Sequence, residues 1–294
     1  MNLLVLRTSA FGDILHILPA LQALKSTHPK VHITLLTRPG YHSVFERVSF
    51  LDRLVSSPPG DTDIVVDAQG LMRTAWLSLR CGAWLRVGYS WSEAREPMAS
   101  IAYQRRVTTG RTHIMDRHAF LLSAALGSSI TISPEYRATD LVVHTPAVDE
   151  VLPSLTHPCL LVHPTTSDPE KDLREEEWSP ILLRFLKRKW SVVLSCGPGE
   201  EDRLSPWVRA LPSAFVLPVL SFGELAAILT RCRLYLGGDT GPTHLADQLG
   251  IPVMGTFTRW HPDRNGPYFS PSLIYTDRTP DLEEVDNWVS RHCS

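Results

Sequence analysis

The sequence predicts an α/β protein made of two doubly wound domains, each a parallel sheet with helices on both faces. Three observations carry that reading. Short apolar runs alternate with helical patterns from end to end, glycine- and hydroxyl-rich corners follow several of the runs, and a proline-rich segment interrupts the pattern near the middle.

Taken in order, "NLLVLRT" reads as a buried strand and "ILPALQALKSTH" as the helix after it. "VHITLLTR" and "DIVVDAQ" continue the strand series, with helices such as "LMRTAWLSLR" between them. "TDLVVHTPAVDEVLPSLTHP" holds three prolines and no strong helical pattern, so the linker is expected at 146–158 and the domains at 1–150 and 151–294. The second half repeats the alternation through "CLLVHPTT", "SPILLRFLKRK", "SVVLSCG", "FVLPV", "FGELAAILTRC", "LYLGG" and "PVMGTF". The last helix is expected to pack back on the first domain. A cleft between two such domains is the default ligand site.

Composition excludes several classes. The 294 residues are 43% hydrophobic and 20% charged with net charge -2, which gives a general nucleic-acid binder no support. The five cysteines (Cys81, Cys159, Cys196, Cys232, Cys293) form no CxxC pair, and buried thiols in a reducing compartment fit them better than disulfides or zinc. Arg7, Gly12 and Asp13 break the apolar N-terminal run, which argues against a signal peptide. A soluble, cytoplasmic chain is expected.

Four loops at strand ends carry chemistry, because ligands of open α/β sheets sit where strands enter helices. In "RTSAFGDILH", Gly12 permits a tight corner and Asp13 is either a helix cap or a general base. In "HPTTSDPEKD", Thr165, Thr166 and Lys171 suit phosphate oxygens or form a solvated turn. In "SCGPGEEDR", Glu200 and Glu201 either bind ribose hydroxyls or favour a helix start through its dipole. In "LYLGGDTGPTHLADQLG", Gly237, Gly238 and Gly241 let backbone approach an anion at a helix N-terminus. Neither the Walker pattern nor GxGxxG is matched, so NTP hydrolysis and nicotinamide binding are disfavoured. "DTD" at 61–63 leads directly into a strand and reads as a turn, so no metal is expected. Between Arg73 and Arg117 stand eight arginines (73, 80, 86, 95, 105, 106, 111 and 117) against three acids, either a solvated basic face or a patch for an acidic acceptor.

Together "RTSAFGDILHILPAL", "VVDAQGLMRTAWL", "AREPMASIAY", "HPTTSDPEKDLREEEW" and "GGDTGPTHLA" resemble, in order, the lipopolysaccharide heptosyltransferases of glycosyltransferase family 9. "DAQGL" and "AREPMAS" are most similar to the branch that adds the first heptose, heptosyltransferase I. The resemblance implies a GT-B fold, two Rossmann-like domains with parallel sheets facing across a cleft. It implies an inverting, metal-independent enzyme with no cofactor, which moves L-glycero-D-manno-heptose from an ADP-heptose donor to a Kdo residue. The acceptor would be an anionic, lipid-linked sugar of the Kdo-lipid A type, and the enzyme a monomer in peripheral contact with the inner membrane.

By that resemblance Asp13 is the catalytic carboxylate, and Thr165, Thr166, Lys171, Glu200 or Glu201, Asp239, Thr240, Gly241 and His244 hold the donor. Gly12, Arg73, Arg95, Arg105, Arg106 and Arg117 are the expected acceptor set, with Arg95 inside a matched motif. Two departures stand out. Only "LVSSPPGDT" fills the place of the branch's long basic insertion, and the phosphate loop is a residue longer before its tryptophan. Another nucleotide-sugar transferase of the family, an NDP-sugar 2-epimerase and a non-catalytic binding module are the alternatives.

Overall fold

The structure is a computed structural model that describes residues 1–110, 112–155, 158–258, 262–276 and 280–293. The chain divides into two compact units, Met1–Tyr136 and Arg137–Ser294. In the first, strands β1 (Asn2–Leu6), β2 (His32–Leu36), β3 (Arg53–Val55), β4 (Ile64–Asp67), β5 (Leu85–Tyr89) and β6 (Arg105–Val107) form a parallel sheet in the order β3-β2-β1-β4-β5-β6. Helices α1 (Phe11–Leu15), α2 (Leu18–Thr27), α3 (His42–Phe45), α4 (Met72–Leu79) and α5 (Ile114–Leu126) connect them.

The second unit repeats this plan. Its strands are β7 (Cys159–His163), β8 (Ser191–Leu194), β9 (Phe215–Val216), β10 (Leu234–Gly237), β11 (Val253–Thr256) and β12 (Ser272–Tyr275). They pair in parallel as β12-β11-β10-β7-β8-β9. Its helices are α6 (Pro146–Val151), α7 (Glu175–Lys187), α8 (Ser205–Ala210), α9 (Phe222–Leu229), α10 (Gly241–Gln248), α11 (Pro262–Asn265) and α12 (Leu282–His292).

Each sheet therefore reverses its winding direction once, between β1 and β4 and again between β7 and β10. At such a reversal the following loops diverge and leave a crevice at the carboxyl ends of the strands. The central strands are buried on both faces: Leu3 to Leu6 and Leu160 to Val162 are fully covered. Helix α7 shows why the covering helices form. Trp178, Ile181, Leu182 and Phe185 fall at i, i+3, i+4 and i+7 and all enter the core under β7 and β8.

Two expectations about domain limits change. The division falls after Tyr136 rather than at 150, because Ala138 N–H donates to Gln248 O at 2.9 Å and Val143 N–H to Gly223 O at 3.0 Å, tying 137–145 to the second unit. The expected linker contains a helix, α6, whose N-cap Thr145 accepts from Val148 N–H and donates to Glu224 at 2.8 Å. The last helix, α12, buries Val285, Val289 and Cys293 in the second unit's core. Among the described residues no helix is long and apolar enough to cross a membrane.

Candidate active site

The reversal in the first sheet is lined by charge. Arg7 closes β1, is 8% exposed, and meets Asp13 Oδ1 through Nη2 at 2.9 Å. Its Nη1 donates to Ala68 O and its Nε to Asp13 O, so the guanidinium ties the loops after β1 and β4 together. Asp13 stands in the first turn of α1. Its Oδ2 accepts from Ala10 N–H at 3.2 Å, while the side chain keeps 36% of its surface open to solvent. Asp13 is thus both a helix-start acceptor and an accessible carboxylate.

Beneath it the loop after β4 is locked. Gln69 Oε1 accepts from Thr8 N–H and Oγ1–H at 2.9 and 2.8 Å. Asp67 accepts from Gln69, Gly70 and the Tyr103 hydroxyl, at 2.9, 3.0 and 2.6 Å. Burial pushes the Asp67 carboxyl up, and these hydrogen bonds oppose it.

Gly70 has φ +67°, and a Cβ there would meet Ala94 Cα, Arg95 N and the Tyr89 ring at 3.3 Å. Glycine is needed for both reasons, and the close approach seats Arg95 beside this loop. Arg117, also buried, lies 4.8 Å over the Tyr89 ring and 3.5 Å from Glu93 Oε2. Burial raises the Glu93 carboxyl, but hydrogen bonds from Thr109 and Gly110 and the charge of Arg117 outweigh it and hold it below its ordinary range. Burial also holds the neighbouring His118 neutral, at about 3, with Arg7 and Arg117 acting in the same direction.

The reversal in the second sheet is lined mainly by backbone and hydroxyls, with the pairs Asp239–His244 and Asp172–Arg203 beside them. A Cβ on Gly255 would lie 1.9 Å from Gly237 O, so β11 can follow β10 only with glycine there. Gly238 faces Lys171 O and Thr166, each 3.3 Å from where its Cβ would be, which brings the loops after β7 and β10 together. Thr243 donates to Gly238 O, and Asp239 Oδ1 meets His244 Nε2 at 3.2 Å. Helix α10 then starts at Gly241 with Thr240 as N-cap and Pro242 in its first turn. Thr165 is buried beside this corner with its hydroxyl unpaired by any protein group.

At the ends of β8 and β9 lies a cavity of about 490 Å³ lined by Cys196, Glu201, Leu204, Val208, Leu217 and Val219, among others. Its walls are mostly apolar, with Glu201, Ser205 and Arg209 as the polar side chains.

The family model for glycosyltransferase family 9 (heptosyltransferase) matches residues 60–286. The chain belongs to glycosyltransferase family 9. Lipopolysaccharide heptosyltransferase 1 of Pseudomonas aeruginosa is 30% identical over 91% of this chain and 81% of its own length. The protein of that name from Escherichia coli K12 is 26% identical over 93% of each. The solved structure of the E. coli heptosyltransferase WaaC with ADP has a TM-score of 0.81 at 22% identity, covering 99% of this chain and 100% of that one. The GT-B fold expected from the family resemblance is the fold found.

Within this family 9 enzyme most of the expected residues fall at the two reversals. Asp13, Gly12, Arg95 and Arg117 stand at or beside the first reversal; Thr165, Thr166, Lys171, Asp239, Thr240, Gly241 and His244 stand at the second. Thr166 turns its hydroxyl to Asp168 O at 2.6 Å, leaving Thr165 as the available hydroxyl. Glu200 accepts from Gly197 N–H at 2.9 Å and caps its own turn, whereas Glu201 lines the cavity. Arg73 is exposed at the start of α4.

Arg105 and Arg106 stand apart from both reversals in the sheet order. They sit on edge strand β6, level with Val87 and Gly88, and donate to Ala124 O and Ser100 O. Arg111 lies outside the described residues. "DTD" sits at the amino ends of the central strands, where Asp63 accepts from Asn2 N–H at 2.7 Å. Among the described residues no group of three or more His, Cys, Asp or Glu could hold a metal ion.

Three participants went unforeseen as site residues. Arg7 registered only as a break in an apolar run, although a cation ending a buried strand is itself a signal. Asp247, on α10, is buried and accepts from the N–H groups of Tyr268, Phe269 and Ser270 at 2.9, 2.8 and 2.9 Å, pinning the segment before β12. Trp178 reaches Thr256 at 3.2 Å and fixes the end of β11.

Proposed function

We propose that this family 9 glycosyltransferase moves L-glycero-D-manno-heptose from ADP-heptose to a Kdo residue of the lipopolysaccharide inner core, with inversion. The observation that carries the reading is the Arg7–Asp13 pair: a carboxylate fixed at a strand end by a buried guanidinium, yet open to solvent on one side.

In this reading the adenine enters the cavity after β8 and β9, and Glu201 accepts from the ribose hydroxyls. The diphosphate lies against Gly238, the start of α10 and the Thr165 hydroxyl, with the Lys171 ammonium moving onto it. Negative charge develops on the leaving diphosphate, and oriented N–H groups together with Lys171 stabilise it without reorganising. Asp13 takes the proton of the attacking Kdo hydroxyl as the new glycosidic bond forms. Arg7 keeps the carboxylate oriented until then. Arg95 and Arg117 match the carboxylate of an acidic sugar, since a planar guanidinium can pair both oxygens at once. Arg73 and Gly12 border the same place. Relatives named heptosyltransferase 1 at up to 30% identity support the choice of sugar and acceptor.

The test is incubation with ADP-heptose and a Kdo-lipid acceptor, with mass spectrometry of the products. One heptose added to the lipid, with ADP released in equal amount, is expected. Turnover only with another nucleotide sugar, release of an epimerised sugar, or donor binding with no product would each replace the reading by one of its alternatives.

A further inference from the structure

The loops after β7 and β8 are joined by an ion pair. Asp172 follows the 3-10 turn Pro169–Lys171, and Arg203 stands in the 3-10 turn Glu201–Leu204. The Arg203 guanidinium donates through Nε to Asp172 Oδ2 at 2.9 Å and through Nη2 to Asp172 Oδ1. Such a fork fixes direction as well as distance, because both carboxylate oxygens are engaged by one planar group.

Each partner is bonded in turn to backbone beside a donor-site group. Asp172 Oδ1 accepts from Thr166 N–H at 2.8 Å, and Arg203 Nη2 donates to Thr166 O at 2.9 Å. Both backbone polar groups of Thr166 thus end on the pair, next in sequence to the buried Thr165 hydroxyl. Lys171 directly precedes Asp172, and its amide donates to Asp168 O at 2.8 Å. On the other loop Arg203 N–H donates to Glu200 O at 3.0 Å, and Nη1 lies 3.7 Å from Glu200 Oε1. Those contacts close the turn that carries Glu201.

The pair also balances charge. Gly238 approaches Lys171 O and Thr166 closely, and Asp172 is next in sequence to one and bonded to the other. Its carboxylate therefore stands beside the glycine corner. An anion arriving at that corner is repelled by Asp172 unless a cation neutralises it, and Arg203 is that cation. The two side chains keep 28% and 23% of their surface open, and a pair so placed adds little to the stability of the fold. Its loss should be felt in the loops first.

We propose that Arg203 is a positioning residue for the nucleotide-sugar donor. Through Asp172 and Thr166 it locks the diphosphate loop against the ribose loop, and it cancels the Asp172 charge beside the diphosphate. Arg203 acts through Thr165, Lys171 and Glu201, which meet the donor. The inference rests on the reading that the second unit binds that donor.

The experiment is calorimetric titration of ADP into the unaltered chain, Arg203→Gln, Asp172→Asn and the double variant, with a thermal unfolding curve for each. Arg203→Gln strands the Asp172 carboxylate and should weaken ADP binding at least about tenfold. Asp172→Asn strands no anion beside the diphosphate and should weaken it about threefold. The double variant should bind ADP more tightly than Arg203→Gln alone, since no unpaired charge is left at the corner. In steady-state kinetics Arg203→Gln should raise the donor KM with kcat and the acceptor KM little changed. If Arg203→Gln unfolds, Arg203→Lys carries the test: it keeps the charge, loses the fork, and should weaken ADP about threefold. Equal ADP affinity in all variants, or losses in the double variant that are the product of the single ones, would overturn the proposal and leave the donor reading standing. So would lowered melting temperatures with the donor KM unmoved. No ADP binding by the unaltered chain would overturn the donor reading and this proposal with it.

Discussion

At the reversal of the first sheet the strand ends carry buried charges held by one another, Arg7 by Asp13 and Arg117 by Glu93. At the reversal of the second sheet, which has the same strand order, the glycines of β10 and β11 and the start of α10 carry the site. The difference is one of division of labour. Backbone N–H groups at a helix start offer a fixed, modest positive field to a group that arrives and leaves as an anion. Proton removal and recognition of an acidic sugar need full charges, and buried full charges need partners whose removal leaves the other stranded. Changes in the first unit should therefore fall on turnover or acceptor binding, and changes in the second on donor binding.

The largest separation is expected from Asp13→Asn. It keeps an acceptor for Ala10 N–H but has no basic oxygen, so turnover should fall about 10²–10⁴-fold. ADP affinity, read by calorimetry, should stay as it was. Near-normal turnover would return Asp13 to a helix-start acceptor and nothing more.

The second unit breaks at a different kind of residue. Gly255→Ala would place a methyl 1.9 Å from Gly237 O, pushing β10 and β11 apart, and should cost about 3 kcal/mol of stability along with ADP binding. Gly60→Ala, which meets open space, is the control. Equal melting temperatures for the two variants would show that the corner does not need its glycine.

A pH series treats the units alike. Burial holds His118 down to about 3 and His163 down to about 4. Between those values and the ordinary 6.5 each imidazole takes a proton only when the chain unfolds. Stability that is whole above pH 6.5 is therefore lost as the pH falls through that window, by about 2 kcal/mol per histidine at pH 5. Urea unfolding at pH 7 and pH 5 should show this loss, and His163→Asn should remove its share. An unchanged slope in that variant would place the titration elsewhere.

A finer cut lies inside the donor site. Glu201→Gln should raise the donor KM about tenfold with kcat little changed. Glu200→Gln should leave the donor KM alone and cost about 1 kcal/mol of stability by weakening the turn at Gly197. The reverse pattern would exchange their roles.

The same contrast explains what was legible in the sequence. Parallel sheets follow from apolar runs with no alternation, and the donor corner from glycines, because φ and close approach leave marks that residue type alone reveals. The charge-built site leaves weaker marks. Arg7 and Arg80 are both arginines ending apolar segments, yet one is buried on Asp13 and the other lies exposed over Trp76. Nothing local separates them, because the partner of each is fixed by packing. The domain limit moved for a related reason: residues 137–145 are bound by backbone hydrogen bonds to α9 and α10, which lie far along the chain. The cavity after β8 and β9 draws its walls from 196–219, and no single motif names it.

The claim that acceptor recognition belongs to the charge-built unit and donor recognition to the backbone-built one meets its most direct test at Arg95. That residue is exposed, is seated by Gly70, and lies in the first unit. Steady-state kinetics of Arg95→Glu, with each substrate varied in turn, should show the acceptor KM raised about tenfold or more and the donor KM unchanged. Equal damage to both constants, or to neither, would contradict the division.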